Sequence, residues 1–244
     1  MVLEDLFGHD QITGKSGRVF DANVGISREE AYYLFDIVQN DAAITRTLEV
    51  GCALGFSSVA ICSGLLDRPD AHHTIVDPRQ SEGWESIGIE NAKRTGFQAI
   101  ELIEDGSEFV LPSLAKTNSN SFDFIFIDGW HTFDHTMLDV FYSIKLLRIG
   151  GILTIDDASW PAVAKALSYW EKVPCLNLTS VYDPKRNASR AGLARAMKSV
   201  AKTGLQKALP SSMSDKVTKS RFGSMVSFTK QSDDNRLWDW YQEF

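Results

Sequence analysis

The sequence holds only three cysteines, Cys52, Cys62 and Cys175, and no Cys-x-x-Cys spacing. An odd number without a repeating pattern argues against a disulfide framework and a cysteine zinc site, and fits a reducing compartment. No apolar run approaches the roughly 20 residues that span a bilayer. The first ten residues lack the basic and apolar regions of a secretory signal. Basic charge is also scarce: 25 Lys and Arg against 32 Asp and Glu leave a net charge of −7. A general nucleic-acid binder needs the opposite balance to neutralise phosphates. The expectation is a cytoplasmic protein with neither membrane nor nucleic acid as partner.

What is present is an ordinary globular mixture, 43% hydrophobic and 23% charged over 244 residues, enough for a packed core. Residues 1–22 show no clear period and read as an irregular lead-in. Ser27 and Glu30 have capping-box spacing and open a helix to about residue 39, with Ala31, Leu34, Phe35 and Val38 on one face. Residues 1–45 are therefore expected to form an N-terminal helical cap.

From residue 47 short apolar runs alternate with helical stretches. Strands are expected at 47–51, 74–77, 99–103, 122–128 and 152–155, and a closing strand at 222–229. Helices are expected at 56–66, before Gly96, at 133–147 and at 160–170. The run Phe122-Asp-Phe-Ile-Phe-Ile-Asp128 is nearly continuous in apolar residues, as in a parallel strand covered on both faces. The alternation predicts one α/β domain over 1–244, a Rossmann-like, doubly wound, mostly parallel sheet. Residues 184–221 carry ten Lys or Arg and one acid. They read as a basic excursion between the last two strands: a solvated helix face, a lid, or a docking surface for an anionic substrate.

Three sequence signals carry chemistry. The first is Glu49-Val50-Gly51-Cys52-Ala53-Leu54-Gly55-Phe56-Ser57, where a buried strand meets a glycine turn and a helix start. Such a turn lets backbone approach a ligand and aims helix N–H groups at it. It is not a dinucleotide fingerprint, because Ala53 and Phe56 replace its second and third glycines. The second is Asp77 at the tip of the next strand, a position from which a carboxylate can accept both hydroxyls of a ribose. The third is Asp128-Gly129-Trp130-His131 after one strand and Asp156-Asp157 after the next. Ligands of open parallel sheets bind beyond the strands' carboxyl ends. Three acids gathered there either raise one another's pKa or share a cation, and hard oxygen donors suit magnesium or manganese.

Together these segments resemble the catechol O-methyltransferase-like branch of the class I S-adenosylmethionine-dependent methyltransferases, across roughly residues 23–170. The resemblance implies an antiparallel last strand, an S-adenosylmethionine (SAM) cofactor, a divalent cation and a small-molecule hydroxyl acceptor. It also implies a homodimer or larger assembly. Asn23-Val24-Gly25 resembles the family's loop at the cofactor carboxylate, and residues 48–57 its first motif. Glu49, Gly51, Gly55 and Ser57 are thereby expected at the cofactor, with Ser57 on the methionine carboxylate. Ser107 and Glu108 fall where the family contacts the adenine edge. Asp128 is expected at cofactor and metal, and Trp130 on the adenine face. Asp156 and Asp157 resemble the family's second metal pair. His131 stands where the catechol enzymes place a lysine base, so a base here would titrate nearer neutrality.

Other readings stay open on the residues alone. His131 reads equally as a loop histidine bonded to backbone, Trp130 as core packing, and Asp157 as a helix cap ahead of Pro161. His135 reads more readily as a solvent-facing helix residue. Functionally, a catalytically degenerate adenosyl-binding protein and a nicotinamide-dependent oxidoreductase are the alternatives.

Overall fold

The computed structural model describes residues 2–184 and 221–244. The chain opens with α1 (Val2–Leu6), a hairpin of β1 (Gln11–Thr13) and β2 (Val19–Asp21), a 3₁₀ turn (Ala22–Val24) and α2 (Arg28–Asn40). Five strand–helix steps follow: β3 (Arg46–Val50), α3 (Phe56–Leu65), β4 (His72–Val76), α4 (Ile87–Arg94), β5 (Ile100–Ile103), α5 (Ser107–Thr117), β6 (Phe122–Ile127), α6 (Phe133–Leu146), β7 (Leu147–Ile155) and α7 (Pro161–Trp170). β8 (Leu176–Tyr182) and β9 (Met225–Lys230) close the chain.

The seven-stranded sheet runs β5-β4-β3-β6-β7-β9-β8. β3 to β7 are mutually parallel, and β9 is antiparallel to both β7 and β8. The chain winds outward from β3 through β4 to β5, then returns to lay β6 on β3's other side. The β3–β6 boundary is thus the topological switch point, where ligands of such sheets bind.

Alternation along the strands sorts the core into two layers. Leu48, Val50, Ile125 and Ile127 face α5, α6 and α7, while Phe124 and Phe126 face α2 and α3. Every residue of β6 is buried, which explains its continuous apolar run: both faces are covered. α3 is buried along its whole length, so it shows little amphipathic contrast.

The N-terminal cap is less helical than its sequence suggested. The lead-in contains α1 and a two-stranded sheet, and the hairpin is pinned to the loop before α4 by Ser16–Glu85 and Arg18–Gly83 hydrogen bonds. Two further elements had no sequence-based expectation. α5 carries Pro112 inside it, and β8 is an edge strand of alternating exposure. The capping box of Ser27 and Glu30 is present as expected. The basic excursion lies outside the described residues, apart from Pro184 and Arg221. Among the described residues no helix is long and apolar enough to cross a membrane.

Candidate active site

The strand ends lie level. Val50 pairs with Val76 and Ile127, Val76 with Ile103, and Ile127 with Ile155. The residues one step beyond continue the ladder: Gly51 N–H donates to Val76 O, Asp77 N–H to Ile103 O, Asp128 N–H to Val50 O, and Asp156 N–H to Ile127 O. Gly51, Asp77, Asp128 and Asp156 therefore share one rim of the sheet. The register that delivers them follows from parallel pairing of strands buried on both faces, where a slip would be costly.

The glycine turn is shaped by protein as much as for ligand. Gly51 has φ +86°, and a Cβ there would sit 2.1 Å from the Asp128 carbonyl oxygen. Gly55 has φ +85°, and a Cβ there would meet Gly88 O of α4 at 2.5 Å. Only glycine combines that backbone with that approach. The close neighbours are backbone of the next loop and of α4, so both glycines pack the turn into the fold.

Two of the acids expected at the cofactor are engaged inside the protein. Leu48 and Val50 face α5–α7, so Glu49 must face α3. It lies fully buried there, accepting a hydrogen bond from Ser58 Oγ and meeting His73 Nε2 at 3.0 Å. His73 Nδ1 in turn meets Thr47 Oγ1 at 2.8 Å. Glu49 thus ties strand to helix beneath the turn and does not stand at the rim. Asp77 reaches the rim, but its carboxylate accepts from Cys52 N (3.0 Å), Ala53 N (2.9 Å), Gln80 Nε2 (3.0 Å) and Arg79 N (2.8 Å). Three of these bonds fall on Oδ2 and one on Oδ1, so Asp77 braces the glycine turn through Oδ2 and keeps acceptor capacity on Oδ1.

The other expected cofactor positions are distributed along the rim. Val24 is exposed just before α2, and Ser57 is buried in the first turn of α3. Ser107 is the buried first residue of α5, and Glu108 folds back over Gly106 with one carboxylate oxygen lacking a hydrogen-bond partner. Trp130 is 60% exposed, which removes the core-packing reading. Its ring lies 6.0 Å from that of His135, whose Nδ1 bonds Thr132 Oγ1 at 2.9 Å.

The acids converge in a different set from the one expected. Asp128, His131 and Asp157 each offer a donor atom, and these atoms lie within 4.8 Å of one another. His131 Nε2 is 3.2 Å from Asp128 Oδ1 and its Nδ1 is 3.4 Å from Asp157 Oδ2. His131 thus joins Asp128 and Asp157 in the tight group, and Asp156 lies beside it, its carboxyl feeling the charges of both aspartates. Asp156 is the buried continuation of β7, whereas Asp157 turns out of the strand with φ +48° and aims at the imidazole. Asp157 does not cap α7, whose N-cap is Trp160 without a side-chain bond. Nor is His131 bonded to backbone, for both ring nitrogens meet carboxylates.

Residues 48–158 match a family model described as a methyltransferase domain. Its bounds enclose Glu49, Asp77, Asp128, Asp156 and Asp157. Solved structures share the fold around it. A methyltransferase of Podospora anserina, bound to S-adenosylhomocysteine (SAH), is 17% identical, with TM-score 0.62 over 95% of this chain and 88% of that one. A Streptomyces achromogenes O-methyltransferase of tomaymycin synthesis, in complex with SAM, is 16% identical, with TM-score 0.59 over 85% and 82%. An O-methyltransferase from Bacillus cereus in complex with SAH is 20% identical, with TM-score 0.57 over 74% and 84%. No curated protein matches the chain.

Within the matched segment the three aspartates repel one another in a poorly solvated rim. Burial, then the charges of Asp157, Glu49 and Glu30, push the Asp128 carboxyl well above its ordinary range. Burial and the charges of Asp128, Glu30 and Asp157 do the same to Asp156. Asp157 is raised by burial and Glu30, with His131 pulling the other way. Glu30 thus acts on all three. Sequence reasoning saw it only as a capping residue, a role it keeps by accepting from Ser27 N–H and Oγ. No local pattern marks a helix cap as the neighbour of a site formed about 100 residues later.

Proposed function

We propose that the chain is a SAM-dependent O-methyltransferase acting on a small-molecule hydroxyl. The observation that carries this is the Asp128–His131–Asp157 cluster at the switch point, beside the glycine turn. The bound SAM and SAH of the structural neighbours support the choice of cofactor. In this reading Val24, Gly51, Gly55 and Ser57 surround the methionine end of the cofactor. Ser107, Glu108 and Trp130 serve the adenine end, and Asp128 lies between cofactor and acceptor. Asp77 and Glu49 act from beneath, by fixing the turn.

Methyl transfer is an in-line displacement in which the protein aligns a hydroxyl oxygen, excludes water and removes a proton. His131 is the base: Asp157 beside Nδ1 orients the ring, and the acceptor's hydroxyl replaces Asp128 at Nε2 to hand over its proton. Two carboxylates and one imidazole also form a donor set that fits a divalent cation. Asp128 and Asp157, with His131 as third donor, would hold it. Once bound, a cation there supplies Lewis acidity that lowers a hydroxyl's pKa. One nitrogen cannot both hold a cation and accept a proton, so the two roles are separable.

Calorimetry with SAM and transfer of labelled methyl test the proposal. Asp128→Ala is expected to abolish transfer while cofactor binding stays measurable. Absence of SAM binding by the unaltered protein refutes the reading, and binding without any transfer identifies a degenerate relative. Full activity in excess chelator removes the cation from the account. A His131→Ala variant with unchanged rate from about pH 6 to 9 removes the base.

A further inference from the structure

The loop between β4 and α4 buries a glutamine that no sequence motif marks. Gln80 is fully enclosed. Its Nε2 donates to two oxygens at once, the Ala53 carbonyl at 2.8 Å and Asp77 Oδ2 at 3.0 Å. Both N–H groups of the amide are thereby engaged, and its orientation is fixed, because Oε1 could serve neither oxygen. Oε1 itself has no hydrogen-bond partner and faces α4, where a Cβ on Gly88 would approach it to 3.0 Å. A buried oxygen without a donor is costly, and an apolar side chain of equal length would fill the space without that cost. What sets the glutamine apart from such a filler is its nitrogen.

The nitrogen's two bonds meet at a strained point. Ala53 has φ +45°, a left-handed backbone in a residue that is not glycine. Such a conformation persists only where the surroundings over-determine it. Asp77 Oδ2 accepts the Ala53 N–H, and Gln80 donates to the Ala53 carbonyl. Oδ2 thus takes Cys52 N–H, Ala53 N–H and Gln80 Nε2, whereas Oδ1 accepts only from Arg79 N–H and retains a lone pair. The loop that carries the glutamine is itself anchored. Gln80 O accepts from Ser86 N–H at 2.6 Å, and the N-terminal hairpin holds Glu85 and Gly83 through Ser16 and Arg18.

We propose that Gln80 is a positioning residue for the cofactor: it ties Asp77 Oδ2 to the glycine turn and so reserves Oδ1 for a ribose hydroxyl. This rests on the SAM-binding reading above and adds to it the group that orients the ribose acid. Gln80 touches no part of the cofactor and acts through Asp77. Without the amide, the Ala53 carbonyl and Oδ2 face each other with no donor between them, and the carboxylate is free to turn away. Recognition of the ribose hydroxyl is then lost, while the adenine and methionine ends keep their contacts.

The test is calorimetry with SAH, 2′-deoxy-SAH and 3′-deoxy-SAH on the unaltered protein, Gln80→Met and Gln80→Glu. Gln80→Met keeps the length without a donor, and Gln80→Glu keeps the shape with oxygen in place of nitrogen. Urea denaturation identifies the folded variants, and either one suffices. In the unaltered protein, removing at least one hydroxyl should weaken binding about tenfold. Each variant should bind SAH about tenfold more weakly. It should then lose little more when that hydroxyl is removed, because both changes delete one interaction. A variant that weakens SAH and the sensitive deoxy analogue by equal factors overturns the proposal, because Gln80 would then only pack the loop. Unchanged SAH affinity in the variants overturns it too, as does binding by the unaltered protein that is indifferent to both hydroxyls. An unaltered protein that does not bind SAH at all strikes the underlying function instead.

Discussion

Asp139 offers a quantitative test of how this fold handles charge. It sits on α6, fully buried, and no hydrogen bond of ordinary geometry reaches either carboxylate oxygen. Burial raises its pKa from the ordinary 3.8 to about 6; Ser107 and the charge of His135 draw it down in part, and Glu108 adds to the rise. The folded-state value lies above the unfolded one. The favourable contribution of this group is thus complete below about pH 4 and is lost as pH rises through 6. At about 1.4 kcal/mol per pH unit, the full loss is about 3 kcal/mol. Roughly 2 kcal/mol of it falls between about pH 4.5 and 7.5. Asp139→Asn cannot ionise and is nearly the same size. It still buries polar atoms without partners, so its absolute stability is not the readout. The difference in unfolding free energy between variant and parent is. Urea titrations at several pH values should show that difference moving in favour of Asn by about 2 kcal/mol across the interval. A difference that stays constant with pH would refute the reasoning, because it would mean the buried carboxyl does not change its ionisation there.

The remaining predictions concern the rim. Gly51→Ala places a methyl group into the Asp128 carbonyl at an unfavourable φ, and should cost about 3 kcal/mol or more of stability and abolish transfer; near-normal melting would refute the packing role. Asp77→Ala orphans the Cys52 and Ala53 N–H groups, and should destabilise the cofactor-free protein by roughly 2–4 kcal/mol. A residue that served only a ribose would leave the cofactor-free protein unchanged, so its denaturation curve decides. Glu30→Gln removes a charge that raises Asp128, Asp156 and Asp157. Their pKa values should fall and the acid limb of the transfer rate should move to lower pH; a stationary limb would show that Glu30 does not act on these groups during turnover.

Much of the fold was legible locally. β6 announced itself because a strand covered on both faces is apolar at all but one position, Asp123, which Thr45, Arg46 and Arg148 satisfy, and α2 because Ser27 and Glu30 cap it reciprocally. α5 escaped because Pro112 interrupts its pattern. β8 escaped because an edge strand half open to water carries no continuous apolar run. The hairpin at the N-terminus is too short for a period to build.

The candidate site was legible as residue types and not as roles. Residue chemistry and spacing by themselves determined that a glycine turn, Asp77, Asp128 and the Asp156–Asp157 pair fall at successive strand ends, because strand length and alternation are local properties. The tertiary structure alone decided which of those side chains remain available. Backbone N–H groups of the glycine turn engage Asp77, and the two-residue alternation of β3 turns Glu49 inward to Ser58 and His73. A left-handed turn at Asp157 brings its carboxylate to His131, beside Asp128. Those outcomes depend on donors and charges far away along the chain, which meet only when the sheet has formed.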